Sequence, residues 1–248
     1  MRKVITGLFD MHCHIICGVD DGSKDVKMTL NMLKTAYSEG IRNIICTPHY
    51  NYQAWKKTPE ELLEIYNDLK KIVEKKFEGL KIYPGAEIFY KKDVTDKDFL
   101  DHAVPTMAGS RYILMEFVTS VSFEYIKEAV TMAISNGYIP IIAHINRFDA
   151  LFMEIDRVQE LYNCGAYMQL NAGSIVGKEG RIVKKFCKEV FDLGLCHFVG
   201  TDAHRDSGMR QMEIQDAAKI IKKKYGEDCM RRIFIENPSH ILKDEYLD

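Results

Sequence analysis

The chain has 248 residues, of which 46% are hydrophobic and 28% charged, with a formal net charge of −2. That length suits two small domains or one large α/β domain, and the charge excludes the global basic field expected of a nucleic-acid binder. No apolar run approaches the roughly 20 residues of a membrane span, the N-terminus lacks the ordered parts of a secretion signal, and seven cysteines without a C-x-x-C pair predict reduced thiols in the cytoplasm.

In chain order, short β-rich runs alternate with amphipathic stretches. The predicted strands are 4–11, 41–46, 81–86, 112–115, 139–143, 166–170 and 196–200. Between them the apolar period predicts helices over 26–39, 59–76, 123–136, 154–163 and 181–193, with Leu62, Ile65, Tyr66, Leu69, Ile72 and Val73 forming one face. Gly40, Gly137 and Gly194 stand where helices stop before the next strand, and the basic clusters at 222–224 and 231–232 read as solvated faces of C-terminal helices. No linker or repeat divides the chain, so one domain spans 1–248. The alternation predicts a parallel sheet, closed as a barrel because no strand reads as an edge; an open doubly wound sheet is the alternative.

The residues just past these runs carry the chemistry. The first leads into His12 and His14, which project from the same side of a strand while Cys13 points into the core; Asp21 follows in an acidic, glycine-flanked turn. The second run ends in His49, the third in Glu87, the fourth in Glu116, the fifth in His144, the sixth in Asn171, and the seventh in Asp202 and His204. In a parallel barrel these ends share the face where active sites are built. His102, His197 and His240 fall outside this register and are expected at the surface or in packing, and Glu124 and Glu128 on a solvated helix face.

Five imidazoles and four carboxylates without thiolates suit manganese, iron or zinc rather than a structural Cys-rich zinc site. So many donors predict two or three divalent ions with a bridging carboxylate, since converging carboxylates repel one another without cations. A cysteine-nucleophile phosphatase is excluded, because no cysteine has an arginine six residues beyond it, and no G-x-x-x-x-G-K-[ST] phosphate loop occurs.

The order His-x-His, Gly-Val-Asp-Asp-Gly, Thr-Pro-His, Gly-x-Glu-Ile, Ser-Arg-Tyr-(x)3-Glu-Phe, Pro-Ile-Ile-Ala-His and Asp-Ala-His resembles the PHP (polymerase and histidinol phosphatase) superfamily. More closely, it resembles the bacterial manganese-dependent tyrosine-protein phosphatases of capsule and exopolysaccharide operons. The likeness runs from Phe9 to Arg210 and more weakly into Glu236-Asn237-Pro238. Gly-Val-Asp-Asp-Gly with Ser-Arg-Tyr-(x)3-Glu-Phe is the part specific to that branch.

The resemblance implies a distorted (β/α)7 TIM-like barrel and a three-metal centre held by His12, His14, Asp21, His49, Glu87, Glu116, His144, Asp202 and His204. It also implies a phosphate-binding arginine at Arg147 and a second after the Asp-x-His element. Arg210 stands one residue later than the usual spacing there, and Arg205 stands early. The usual Pro-Glu-Arg-Tyr after the fifth-strand histidine is replaced by Ile145-Asn146-Arg147-Phe148.

The expected reaction is hydrolysis of phosphotyrosine on a protein by a metal-activated water, with Arg147 and Arg210 clamping phosphate and Asp202 or His204 able to assist proton transfer. The implied partner is a cognate bacterial tyrosine kinase of polysaccharide synthesis. Nearest among the alternatives is a small-molecule phosphatase such as one acting on histidinol phosphate. Tyr50, Asn51, Tyr52, Trp55, Lys56 and Lys57 are the candidate substrate-recognition segment. The oligomeric state stays open.

Overall fold

The computed structural model describes residues 4–50 and 57–247. Among the described residues there are nine parallel strands against the seven expected, since two of the runs are each split in two: β1 Leu8–Cys13, β2 Ile41–Cys46, β3 His49–Tyr50, β4 Lys81–Pro84, β5 Glu87–Phe89, β6 Tyr112–Glu116, β7 Ile139–Ile142, β8 Tyr167–Asn171 and β9 Phe198–Gly200. The main helices are α1 Val26–Ser38, α2 Pro59–Lys76, α3 Lys92–Leu100, α4 Phe123–Ser135, α5 Ile155–Asn163, α6 Ala172–Val176, α7 Arg181–Asp192, α8 Gln215–Arg231 and α9 Asn237–Lys243.

Local chemistry explains where the longer helices start. Thr58 and Glu61 cap α2 reciprocally with Pro59 in its first turn, while the side chains of Asp25 and Ser122 accept from the amides of Met28 and Tyr125. Five helices thus stand within a residue or so of the predicted limits. The first strand differs: it begins at Leu8 rather than Val4, because Gly7 takes a φ of 85° that interrupts extended backbone. The strand also ends at Cys13 rather than Met11, so His12 is inside β1 and His14 lies just past its end.

Two runs expected to end at their polar residue instead continue past a kink. β2 pairs with β4, and β3 with β5, in one unbroken register, each residue facing the one 38 positions on. Thr47-Pro48 and Gly85-Ala86 interrupt the ladder between them, and Pro48 has no N–H to give. The hydrogen-bonded order is β1-β2-β4 on one side of this kink and β3-β5-β6-β7-β8-β9 on the other. Together they form a curled parallel sheet with helices outside it.

Beyond the ladders, His14 N donates to Ala203 O (2.9 Å) and Asp202 N to His12 O (2.7 Å), which brings the chain after β9 against β1. Gly200 is required there, since a Cβ on it would stand 2.6 Å from the Cβ of His12. Inside the curl, Met11, Ile45, Tyr112, Leu114, Ile141 and Phe198 form a core layer beneath the polar ends of the strands. Cys13 is fully buried, as alternation predicts.

Candidate metal centre

β1, β3, β5, β6, β7, β8 and β9 bring side chains in or just after them to one place. Glu87, at the start of β5, is 1% exposed and sits among four imidazoles. Its Oε1 lies 3.2 Å from His12 Nε2 and 2.9 Å from His144 Nε2; its Oε2 lies 3.2 Å from both His14 Nε2 and His49 Nδ1. Burial works against its ionisation, but the His12 and His49 imidazoles outweigh it and hold the carboxyl well below its usual range.

Glu116, from β6, repeats this on a smaller scale, with Oε2 3.3 Å from His49 Nδ1 and Oε1 3.4 Å from His144 Nε2. Asp21 is more open to solvent, and its Oδ1 lies 3.2 Å from His204 Nε2 and 3.5 Å from His49 Nε2. The rings of His14 and His204 lie 3.8 Å apart between centroids.

Three groups of donors have atoms within 4.8 Å of one another: His14, Asp21, His49 and His204; His12, His14 and Glu87; His49, Glu87 and Glu116. They overlap through His14, His49 and Glu87. Among the described residues, the buried oxygens Asp21 Oδ1, Glu87 Oε2 and Glu116 Oε2 lack a hydrogen-bond partner. Buried carboxylate oxygens without donors, aimed at imidazole nitrogens, fit divalent cations.

Asp202 joins this cluster to the arginines. Its Oδ1 is 3.6 Å from the Nε2 atoms of His12 and His14 and accepts from Arg210 Nη2 at 2.6 Å. Its Oδ2 meets Arg147 Nη1 at 2.7 Å and accepts from Asn171 Nδ2 at 3.0 Å. Burial opposes its charge, yet His12, Arg147 and Arg210 hold its pKa well down. Arg210 Nη2 also lies 3.1 Å from His204 Nε2. The pKa of His204 is likewise pushed down, to about 4, by burial and by the neighbouring His14.

Arg205 does something different: Nη1 donates to the backbone carbonyls of Asp21, Gly22 and His204, and so holds the acidic turn against the chain after β9. His144 and Asp202 have left-handed backbones, with φ of 29° and 52°, conformations that non-glycine residues hold only where their surroundings impose them.

Several supporting residues were not singled out by strand-end position. Asp20 accepts from His14 Nδ1 (2.7 Å), Gly22 N (2.9 Å) and His49 N (3.1 Å). Burial works to lower the His14 pKa, but the Asp20 carboxylate raises it to about 10. Gln169 accepts from His144 N (2.6 Å) and faces His12 Nδ1 at 3.4 Å, while its amide donates to Asn171 Oδ1 at 2.9 Å. Asp10 is buried beneath His12 and accepts from Thr201 N at 2.9 Å. A period-2 reading of β8 aligns Gln169 with Asn171, which was the available signal.

His102, His197 and His240 are in none of the donor groups. Of the candidate recognition segment, Asn51, Tyr52, Trp55 and Lys56 lie outside the described residues, whereas Tyr50 in β3 and Lys57 before α2 are partly buried.

The model of the family described as "Capsular polysaccharide synthesis, CpsB/CapC" matches residues 8–243. The chain is 32% identical over 246 residues to the tyrosine-protein phosphatase CpsB of Streptococcus agalactiae serotype V, covering 97% of this chain and 100% of that protein. It is 30% identical to the tyrosine-protein phosphatase YwqE of Bacillus subtilis, covering 96% and 92% of the two chains.

A crystal structure from the pair YwqE of Bacillus subtilis and CpsB of Streptococcus pneumoniae, described as unique metal-dependent tyrosine phosphatases, superposes with a TM-score of 0.89. It is 30% identical and covers 97% of this chain and 96% of that one. The histidinol phosphate phosphatase of Lactococcus lactis shares the fold at a TM-score of 0.56 and 15% identity, covering 88% and 94%. With its family model spanning β1 to α9 and relatives aligned along nearly their whole length, the chain belongs to the CpsB/CapC capsular polysaccharide synthesis family.

Proposed function

We propose that this chain is a metal-dependent protein-tyrosine phosphatase that hydrolyses phosphotyrosine on a bacterial tyrosine kinase of polysaccharide synthesis, in the cytoplasm. The observation that carries the reading is Glu87, each of whose oxygens faces two imidazoles, as a carboxylate shared between cations would. The names of the full-length relatives support the phosphotyrosine substrate. All seven cysteines are free, which supports a reducing compartment.

In this reading one domain spans the chain as a distorted (β/α)7 barrel, its seventh position closed by the Asp202 and His14 backbone contacts across to β1. His12, His14, Asp21, His49, Glu87, Glu116, His144, Asp202 and His204 would hold two or three divalent ions, with manganese the leading candidate and iron or zinc the alternatives. Such ions supply an activated water and neutralise charge developing on the phosphoryl group.

The rest falls to the chain itself. Arg147 and Arg210 reach the site from opposite sides of Asp202, and their guanidinium forks can take two oxygens of one phosphate. Asp202 aims both forks, and Asn171 holds that carboxylate in turn. His204, kept neutral at physiological pH by burial and by the neighbouring His14, turns Nδ1 to the carbonyl of Asp202 and so leaves Nε2 free to serve as a donor to an ion. A phenolate leaving group, of pKa about 10, needs less acid assistance than an alkoxide, which suits a site built around metal donors and arginines.

The test is parallel turnover of a phosphotyrosine peptide and histidinol phosphate by chelated protein, before and after manganese return. Restored activity with strong preference for the peptide is expected. Preference for histidinol phosphate would replace the protein substrate with a small molecule, and activity unaffected by chelation would overturn the metal reading.

A further inference from the structure

A groove of about 400 Å³ runs between α7 and α8. Its floor is apolar, formed by Ile175, Phe191, Ile220, Ile221 and Tyr225. Its rim is basic: Arg181, Lys184, Lys185 and Lys188 occupy one face of α7 at spacings of three and four residues, and Lys224 stands opposite on α8. Like charges at such spacings repel along a helix. Two of them find relief nearby, since Lys188 and Lys224 both pair with Asp192. Lys184 Nζ donates to the carbonyl of Val176. Arg181 and Lys185 have no ion-pair partner among the described residues.

The short helix α6 contributes residues both to this groove and to the surroundings of the candidate centre. That helix begins directly after Asn171 and contributes Ile175 to the groove floor. Its Gly173 lines a small cavity shared with Arg147, Asn171 and Arg210. A chain bound both at the arginines and in the groove would pass over α6.

We propose that the α7/α8 groove docks an acidic segment, carrying an apolar side chain between its carboxylates, of the same polypeptide that bears the phosphotyrosine. The proposal rests on the phosphatase reading above. Apolar floor and basic rim match an apolar anchor flanked by Asp or Glu. The recess between two helices favours a peptide over a bilayer, which would meet the charges as a flat layer.

The test uses the full manganese-loaded chain and three substrates: p-nitrophenyl phosphate, a phosphotyrosine peptide with a Glu-rich flank containing Phe, and the same peptide with Gln for each Glu. The acidic peptide is expected to show a KM about tenfold below its neutral counterpart, the size of two partly desolvated ion pairs. The difference should shrink in about 0.5 M salt.

Arg181→Glu with Lys185→Glu should abolish that difference while leaving kcat and p-nitrophenyl phosphate hydrolysis unchanged. Arg181→Gln with Lys185→Gln serves if charge reversal impairs folding. Equal KM values for the two peptides in the unaltered chain would overturn the proposal. So would an equal loss in a Lys70→Glu, Lys75→Glu control on α2.

Binding to phosphatidylglycerol vesicles that depends on Arg181 and Lys185, with the peptide preference untouched, would assign the surface to membrane instead. If no phosphate ester is turned over, the phosphatase reading fails by itself. Fluorescence anisotropy of the unphosphorylated acidic peptide then still reads the groove, with loss of binding in the Arg181 and Lys185 variants expected and no binding to the unaltered chain overturning it.

Discussion

The side-chain oxygen of Gln169 accepts a 2.6 Å hydrogen bond from the backbone nitrogen of His144, a residue held at a φ of 29°. The same oxygen faces His12 Nδ1, so one fully buried amide positions two candidate metal-binding imidazoles, one on β1 and one just after β7. Gln169→Ala should therefore lower divalent-metal affinity by about 10–100-fold, as loss of an orienting partner does. It should also cost about 1–3 kcal/mol of stability for the unpaired buried amide. Metal titration by calorimetry and denaturant melts of the metal-free chain would measure both, and unchanged affinity would contradict the orienting role.

Asp20 and Asp21 are adjacent in sequence and divided in function. Asp20 points inward and fixes His14 Nδ1 as the donor, leaving Nε2 toward Glu87; Asp21 points to His49 and His204. Asp20→Asn should weaken metal binding by roughly 10-fold or more through a reoriented His14 ring. Asp21→Ala should remove a donor outright and reduce the number of ions bound. Metal content per chain after dialysis distinguishes the two outcomes.

The three arginines near the site are expected to respond differently to lysine. Arg147→Lys and Arg210→Lys keep the charge and lose the fork, so kcat/KM for phosphotyrosine peptides should fall by about two orders of magnitude with metal content unchanged. Arg205→Lys cannot span the carbonyls of Asp21, Gly22 and His204, so its loss should appear as reduced metal affinity and a lower Tm. Equal effects of all three on metal content would refute the division.

His197 supplies a pH dependence remote from the donor groups. Burial, with help from the Arg232 charge, pushes its pKa down to about 4, and its Nδ1 accepts from Met168 N. The native state thus holds it neutral while the unfolded chain protonates it near its ordinary value. Its contribution is fully present above about pH 6.5 and is lost as pH falls toward 4, for a maximum of about 3 kcal/mol. Denaturant midpoints at several pH values should fall more steeply over that window in the unaltered chain than in His197→Gln. Parallel slopes would show that the imidazole is not held neutral.

How much of this was legible beforehand depended on whether a feature is local. The boundaries of α2 and α4 follow from the Thr58 and Ser122 caps and from a repeating apolar face, all within a few residues. His12, His14, Glu87, Glu116, His144 and Asp202 could be picked out because a strand brings whatever follows it to a common face. The kink at Thr47-Pro48, which starts β3 on His49, was less legible, since it depends on Gly85-Ala86 departing from the ladder at the same level.

By itself, then, the sequence determined which donors exist, their chemical type and the family to which their order belongs. Only the tertiary structure decided how they are shared: that each oxygen of Glu87 faces two imidazoles, that Asp202 receives both arginines, and that Gln169 and Asp20 hold the rings in place. Those relationships join residues as far apart as His12 and Gln169, and they are set by the curl and register of the sheet. Periodicity along one strand carries the direction of a side chain but not the angle between that strand and its neighbours, and that angle is what closes the centre.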